Sequence, residues 1–181
     1  PLGQILAAKN DFAQAMQYYR QALEYFDARR EESHLRILGV LYTFMGDAHF
    51  NQNDLEAARI AYEEAFPYLI ASVGERHLDT ANVYEGLGKT SLGRGDAPAA
   101  LESLRKCLKI RRQFLPEFHP SFGSSEFLLG QTHQSLGDTR TALKHYRRAL
   151  AVQKQNYRSD DRRIDQTEAA IRNLPNSQHI G

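Results

Sequence analysis

Small and large apolar residues recur along this chain at helical spacing. Ala58, Tyr62 and Ala65 stand at i, i+4 and i+7, which places them on one face of a helix. The same trio returns as Ala15, Tyr19 and Ala22, as Ala100, Leu104 and Cys107, and as Ala142, Tyr146 and Ala149. An apolar residue follows each trio: Leu23, Phe66, Leu108 and Leu150. Ahead of each trio lies a turn pair, Asn10-Asp11, Asn53-Asp54, Gly95-Asp96 or Gly137-Asp138, at successive spacings of 43, 42 and 42 residues. Seven residues before each pair stands a glycine, Gly3, Gly46, Gly88 or Gly130. A period of this length, held by several columns at once, marks a repeat architecture.

Each period reads as a helical hairpin. The Asn/Gly-Asp pair ends one helix and caps the next, with Asp accepting from free N–H groups of the second helix. The glycine column falls in mid-helix, where glycine costs roughly 1 kcal/mol relative to alanine. Its recurrence calls for a close helix–helix approach, which the missing Cβ permits. One hairpin has too little core to stand alone, so stacked neighbours must bury the shared face.

These columns resemble the tetratricopeptide repeat, whose pattern is a small residue in helix A, a turn, then alanine, aromatic and alanine along helix B. The period of 42 rather than 34 is similar to that of kinesin light chains. The segment "FLPEFHPSFGSSEFLLGQTHQSLGDTRTALKHYRRALAVQ" carries the basic end of helix B and the His-Pro loop of those repeats. The resemblance implies an all-α, right-handed α-solenoid. It divides residues 1–181 into a partial first repeat (1–33), repeats at 34–76, 77–118 and 119–160, a capping helix at 161–174 and a tail at 175–181. Ile164, Ile171 and Leu174 give the capping helix its apolar stripe, while Arg172 in the glycine column excludes a closely packed partner. The first repeat starts inside its helix A, so the chain is expected to be a piece of something longer. Pro1-Leu2-Gly3 also reads as a protease-site scar, in which case Gly3 matches its column by accident.

Composition narrows the function. One cysteine, Cys107, excludes a disulfide framework and a cysteine-based metal site. Apolar runs are too short for a membrane span, and no basic-then-apolar leader opens the chain, so the expected location is cytoplasmic. The net charge of +1 conceals a polarity: residues 1–90 sum to −5 and residues 91–181 to +6. Such asymmetry bears on partners and on self-association rather than on fold.

Candidate chemistry is sparse. His34, His77 and His119 share one repeat column and stand about a helix thickness apart, roughly 10 Å, too far to share a metal ion. They read as loop or helix-start residues. Gly88-Lys89-Thr90 ends like a phosphate-binding loop, yet Val83 occupies the place of its first glycine. Cys107 replaces an alanine of its column and reads as a buried spacer. No nucleophile–base pair or carboxylate pair emerges, so neither catalysis nor a cofactor or metal is expected.

The resemblance implies a binding surface. Helices A line the concave side of such an array, and the family's ligand-facing positions map onto Val40, Thr43, Phe44, Asp47, Phe50 and Asn51. In the next repeat they are Asn82, Glu85, Gly86, Lys89, Leu92 and Gly93, and in the last Ser124, Phe127, Leu128, Gln131, Gln134 and Ser135. Apolar groups beside amides and hydroxyls suit an extended peptide or a helix. Gly86 and Gly93 are expected to leave room in that groove. Phe44, Phe50, Phe127 and Leu128 have an alternative role as inter-helix core. Asp47 and Glu85 disfavour a ligand ending in a carboxylate. On the convex side Arg105-Lys106 and Arg147-Arg148 share two columns and form a basic patch. Its readings are a solvated outer face or a contact with an acidic partner or anionic surface. Nucleic acid is disfavoured, because no aromatic residues interleave the basic ones. The leading expectation is a non-enzymatic protein-interaction module. The alternative is a regulatory or oligomerisation segment of a larger signalling protein, such as a kinase or signal-transduction ATPase.

Overall fold

Aspartate and histidine side chains set the helix starts. The computed structural model describes residues 12–27 and 31–175. Its helices are α1 (Phe12–Asp27), α2 (Leu35–Asn51), α3 (Leu55–Val73), α4 (Leu78–Gly93), α5 (Ala97–Phe114), α6 (Pro120–Ser135), α7 (Thr139–Asn156) and α8 (Arg162–Arg172). Asp54, Asp96 and Asp138 accept from the backbone N–H of Ala57, Ala99 and Thr141 at 3.0–3.1 Å, opening α3, α5 and α7. Each satisfies a donor that the first helical turn leaves free. The residue before each of these aspartates takes a left-handed backbone, φ 61° at Asn53, 81° at Gly95 and 78° at Gly137. That is why only asparagine and glycine fill this column. Gly3, Asn10-Asp11 and the tail beyond Pro175 lie outside the described residues.

Two members of the histidine column do the same work at the starts of α4 and α6, whereas His34 precedes α2 without a side-chain capping bond. Nδ1 of His77 accepts from Asp79 N–H at 3.1 Å, and Nδ1 of His119 from Ser121 N–H at 3.2 Å. One period further on, Asp161 accepts from Arg163 N–H at 2.9 Å. Histidine here is a capping residue, with Nδ1 as the acceptor. His119→Ala is expected to lower stability by about 1 kcal/mol, while His119→Asp keeps the native value. Urea unfolding followed by circular dichroism checks both.

The chain groups into two compact units, 1–94 and 95–181. In the first, α1 packs on α2, α2 and α3 form a hairpin, and α4 lies against both α3 and α2. Ala58, Tyr62, Ala65, Leu69 and Val83 are fully buried at its centre. A Cβ on Gly46 would sit 2.6 Å from the Tyr62 ring, the close approach that the glycine column foretells. In the second unit α5, α6, α7 and α8 pack in sequence. A Cβ on Gly130 would sit 2.5 Å from the Tyr146 ring, repeating the arrangement. Helix α8 closes this unit: Ile164, Thr167 and Leu174 are buried, and Ile171 and Ala170 pack beside Ala142, Leu143 and Tyr146.

Candidate functional site

In the first unit the positions expected to face a ligand come together where α2 and α4 run side by side. Asp47 and Lys89 occupy the same column of successive repeats, and Lys89 Nζ donates to Asp47 Oδ1 at 2.6 Å. The Tyr62 hydroxyl, reaching from α3 behind them, donates to the same oxygen at 2.7 Å. Lys89 Nζ also lies 4.7 Å from the centre of the Phe50 ring, within cation–π range. Burial first, and then the Asp47 charge, push the Tyr62 hydroxyl well above its ordinary pKa, so it serves only as a donor. A second pair, Arg36 to Asp79 at 2.7 Å, joins the starts of α2 and α4. Arg36 is more than half exposed, so that pair fixes register more than it adds stability.

Around this strap the other residues divide by environment. Asn51 and Asn82 are exposed, and Glu85 is half-buried. Val40 and Phe50 are half-buried against the central cluster, and Phe44 packs against Ala15, Met16, Tyr19 and Ala48, with the Tyr19 ring 6.2 Å away. Thr43 is buried, and its hydroxyl donates to the Gly39 carbonyl at 2.8 Å. Gly86 and Gly93 do not open space for a ligand. A Cβ on Gly86 would lie 2.4 Å from the Tyr62 ring, and one on Gly93 3.1 Å from Leu55. Both glycines admit a neighbouring side chain of the same unit, so the correction follows from packing: the Tyr62 ring is held between Gly46 and Gly86.

In the second unit the corresponding face of α6 carries Ser124, exposed, and Gln131, Phe127 and Leu128, each half-buried. The Phe127 ring packs on Tyr146 at 5.5 Å, and Leu128 packs on the cluster of Leu104, Leu108, Phe122, Leu129 and Val152. The Tyr146 hydroxyl donates to Gln134 Oε1 at 2.7 Å, and burial pushes its pKa up to about 12. Arg105, Lys106, Arg147 and Arg148 are all exposed on α5 and α7. Lys106 pairs with Glu102 at 2.7 Å, one turn earlier on its own helix.

A buried polar cluster lies behind this face. The Glu126 carboxylate, only 5 % exposed, lies 2.6 Å from His145 Nδ1 and 3.5 Å from the Arg112 guanidinium. His145 stacks on His133 with ring centres 5.2 Å apart. Burial, and then the neighbouring His145, hold His133 below the usual imidazole pKa, which keeps it neutral near pH 7. Arg111 is also buried, donating to Ser125 Oγ at 2.6 Å and to the Ser121 carbonyl at 2.9 Å. Cys107 is fully buried, with Sγ 3.7 Å from Ser125 Oγ. A signal for this cluster exists in the repeat columns. The Leu69, Arg111, Gln153 column and the Leu41, Val83, Ser125 column both turn from apolar to polar in this unit, and Arg111 bonds to Ser125.

Comparison with known proteins agrees with this architecture. Family models described as tetratricopeptide repeat match residues 36–113, 2–27 and 127–156. Among solved structures, BtubC (BKLC) from P. vanneervenii is similar over 98% of this chain and 70% of its own, with 18% identity and a TM-score of 0.81. A Podosopora anserina protein, described as a kinesin light chain with nearly identical TPR-like repeats, covers 98% of this chain and 83% of its own. Its identity is 17% and its TM-score 0.72. No curated protein matches the chain by sequence. Among the described residues no helix is long and apolar enough to cross a membrane.

Proposed function

The chain belongs to the tetratricopeptide-repeat family, and we propose that it captures a peptide or helical segment of a partner protein on the ligand-facing sides of its A helices. Repeats of this kind generally serve as protein–protein interaction modules. The observation that carries the reading is the α2–α4 face of the first unit. There Asn51 and Asn82 stand exposed beside the Asp47–Lys89 pair and the half-buried Val40 and Phe50. Amides suit a peptide backbone, since each offers both a donor and an acceptor. The half-buried Val40 and Phe50 side chains supply apolar contact without being free to collapse. Asp47 already neutralises Lys89, so this face is not built to clamp a terminal carboxylate. On the α6 face of the second unit, Ser124 and Gln131 offer the same polar chemistry beside Phe127 and Leu128.

The test is affinity capture with the chain as bait, compared with an Asn82→Arg, Gln131→Arg double variant. Both substitutions sit at ligand-facing positions outside the fully buried core, so the thermal melting curve should be unchanged. A partner held by the native chain and lost by the variant supports the reading. A partner held equally by both overturns it.

A further inference from the structure

Two histidines lie face to face inside the second unit. His133 of α6 is only 8% exposed, and its ring stacks on His145 of α7 with centres 5.2 Å apart and planes within 11°. The other repeats have no counterpart to this pairing. Position 145 corresponds to Ala61 and Ser103, and position 126 to Tyr42 and Tyr84. In the first unit His49 shares the His133 column and likewise faces its turn aspartate, Asp54. There Ala61 stands in the place of the second imidazole. Only the last repeat carries both histidines and the glutamate.

The charges around the pair decide what a proton does there. The Glu126 carboxylate of α6 lies 2.6 Å from His145 Nδ1 and 3.5 Å from the Arg112 guanidinium of α5. Its negative charge is thus already engaged from two helices. Burial, then the neighbouring His145, and less strongly Arg105 of α5 oppose a proton on His133. Asp138, in the turn before α7, lies 3.4 Å from His133 Nδ1 and favours that proton. This carboxylate is nearly half exposed and also caps α7 through the Thr141 N–H, so solvent weakens its hold on the ring. The balance leaves the His133 imidazole below its ordinary pKa. The unfolded chain therefore binds the proton better than the folded one. Stability contributed by the neutral ring is present above the ordinary imidazole pKa, about 6.5, and is lost as pH falls below it.

We propose that the His133–His145 stack is an acid-operated release for the α6–α7 hairpin. At neutral pH the rings pack flat, and His145 joins α7 to Glu126 of α6. In mild acid a proton on each ring places like charges 5.2 Å apart, with Glu126 able to meet only one of them. The rings separate and the hairpin opens. Helix α8, which packs on Ala142, Leu143 and Tyr146 of α7, loses its seat with it. The first unit, with Ala61 in the matching place, keeps its packing over the same range.

The experiment is hydrogen exchange with mass spectrometry on the full chain at about pH 7.5 and about pH 5, with protection corrected for the intrinsic pH dependence of exchange. Protection of the α6 and α7 amides is expected to fall about tenfold more than that of α2 and α3, a size set by like charges at this separation. Two variants remove the repulsion in different ways. His145→Gln keeps an N–H donor for Glu126 and takes no charge, and His133→Ser installs the residue that the third repeat has at Ser91. Each variant is compared with itself at the two pH values, so a uniform loss of stability does not enter the result. Circular dichroism at neutral pH identifies a variant that fails to fold, and the other then decides. In the folded variants α6 and α7 should lose no more protection than α2 and α3. Two results overturn the proposal: no excess loss in α6 and α7 of the native chain, or an excess loss that persists in either folded variant.

Discussion

Tyr62→Ala is expected to destabilise the first unit by about 4 kcal/mol, the larger part of a typical small unit's stability. The ring is fully buried and touches two neighbouring helices. It rests between Gly46 of α2 and Gly86 of α4, while its hydroxyl bonds to Asp47. Deleting it leaves a cavity that the glycines cannot fill, because neither has a side chain to move inward. Tyr62→Phe keeps the ring and loses one hydrogen bond, so its cost should be nearer 1 kcal/mol. The check is urea unfolding with hydrogen exchange on α2, α3 and α4. A loss below about 1 kcal/mol for the alanine variant would remove Tyr62 from the core.

Gly130→Leu tests the same contact from the other side, in the second unit. The added Cβ alone falls 2.5 Å from the Tyr146 ring, and that ring, 1% exposed, has nowhere to go. Overpacking of this kind costs about 3 kcal/mol, and the strain should appear as loss of cooperative unfolding of α6, α7 and α8. Ser124→Leu on the exposed side of the same helix is the control and should stay within about 0.5 kcal/mol of native. Equal melting curves for the two variants would show that the glycine column does not mark a helix crossing.

Both predictions rest on columns visible before any coordinate was known. The period, the capping aspartates and the small–large–small face are local demands that the copies meet in the same way, so repetition exposes them, while the closing helix stands out by placing Arg172 in the glycine column. Histidine at 77 and 119 was legible as a helix-start residue, although the acceptor role of Nδ1 was not. The candidate face was legible more coarsely. Asp47 and Lys89 were each placed on it as separate ligand-facing groups. Their bond follows from one further step: opposite charges in one column of adjacent repeats meet when the A helices lie side by side.

Other features escaped because they depend on unlike residues meeting across helices. Gly86 lies two residues before its column glycine, in a position where repeat logic places a ligand-facing group, yet the Tyr62 ring of the preceding hairpin fills the space. Arg111 sits where the first unit has Leu69, and its bonds to Ser125 and to the start of α6 help make its burial tolerable. By itself the sequence determined the hairpin, its period, its caps and its close-packed glycines, since each is set by backbone geometry within a few residues. The tertiary structure alone decided which polar groups are already partnered, which rings are committed to the core, and which two histidines stack on each other. Those outcomes turn on distances between residues that share no local segment, and desolvation and charge pairing are evaluated only at such distances.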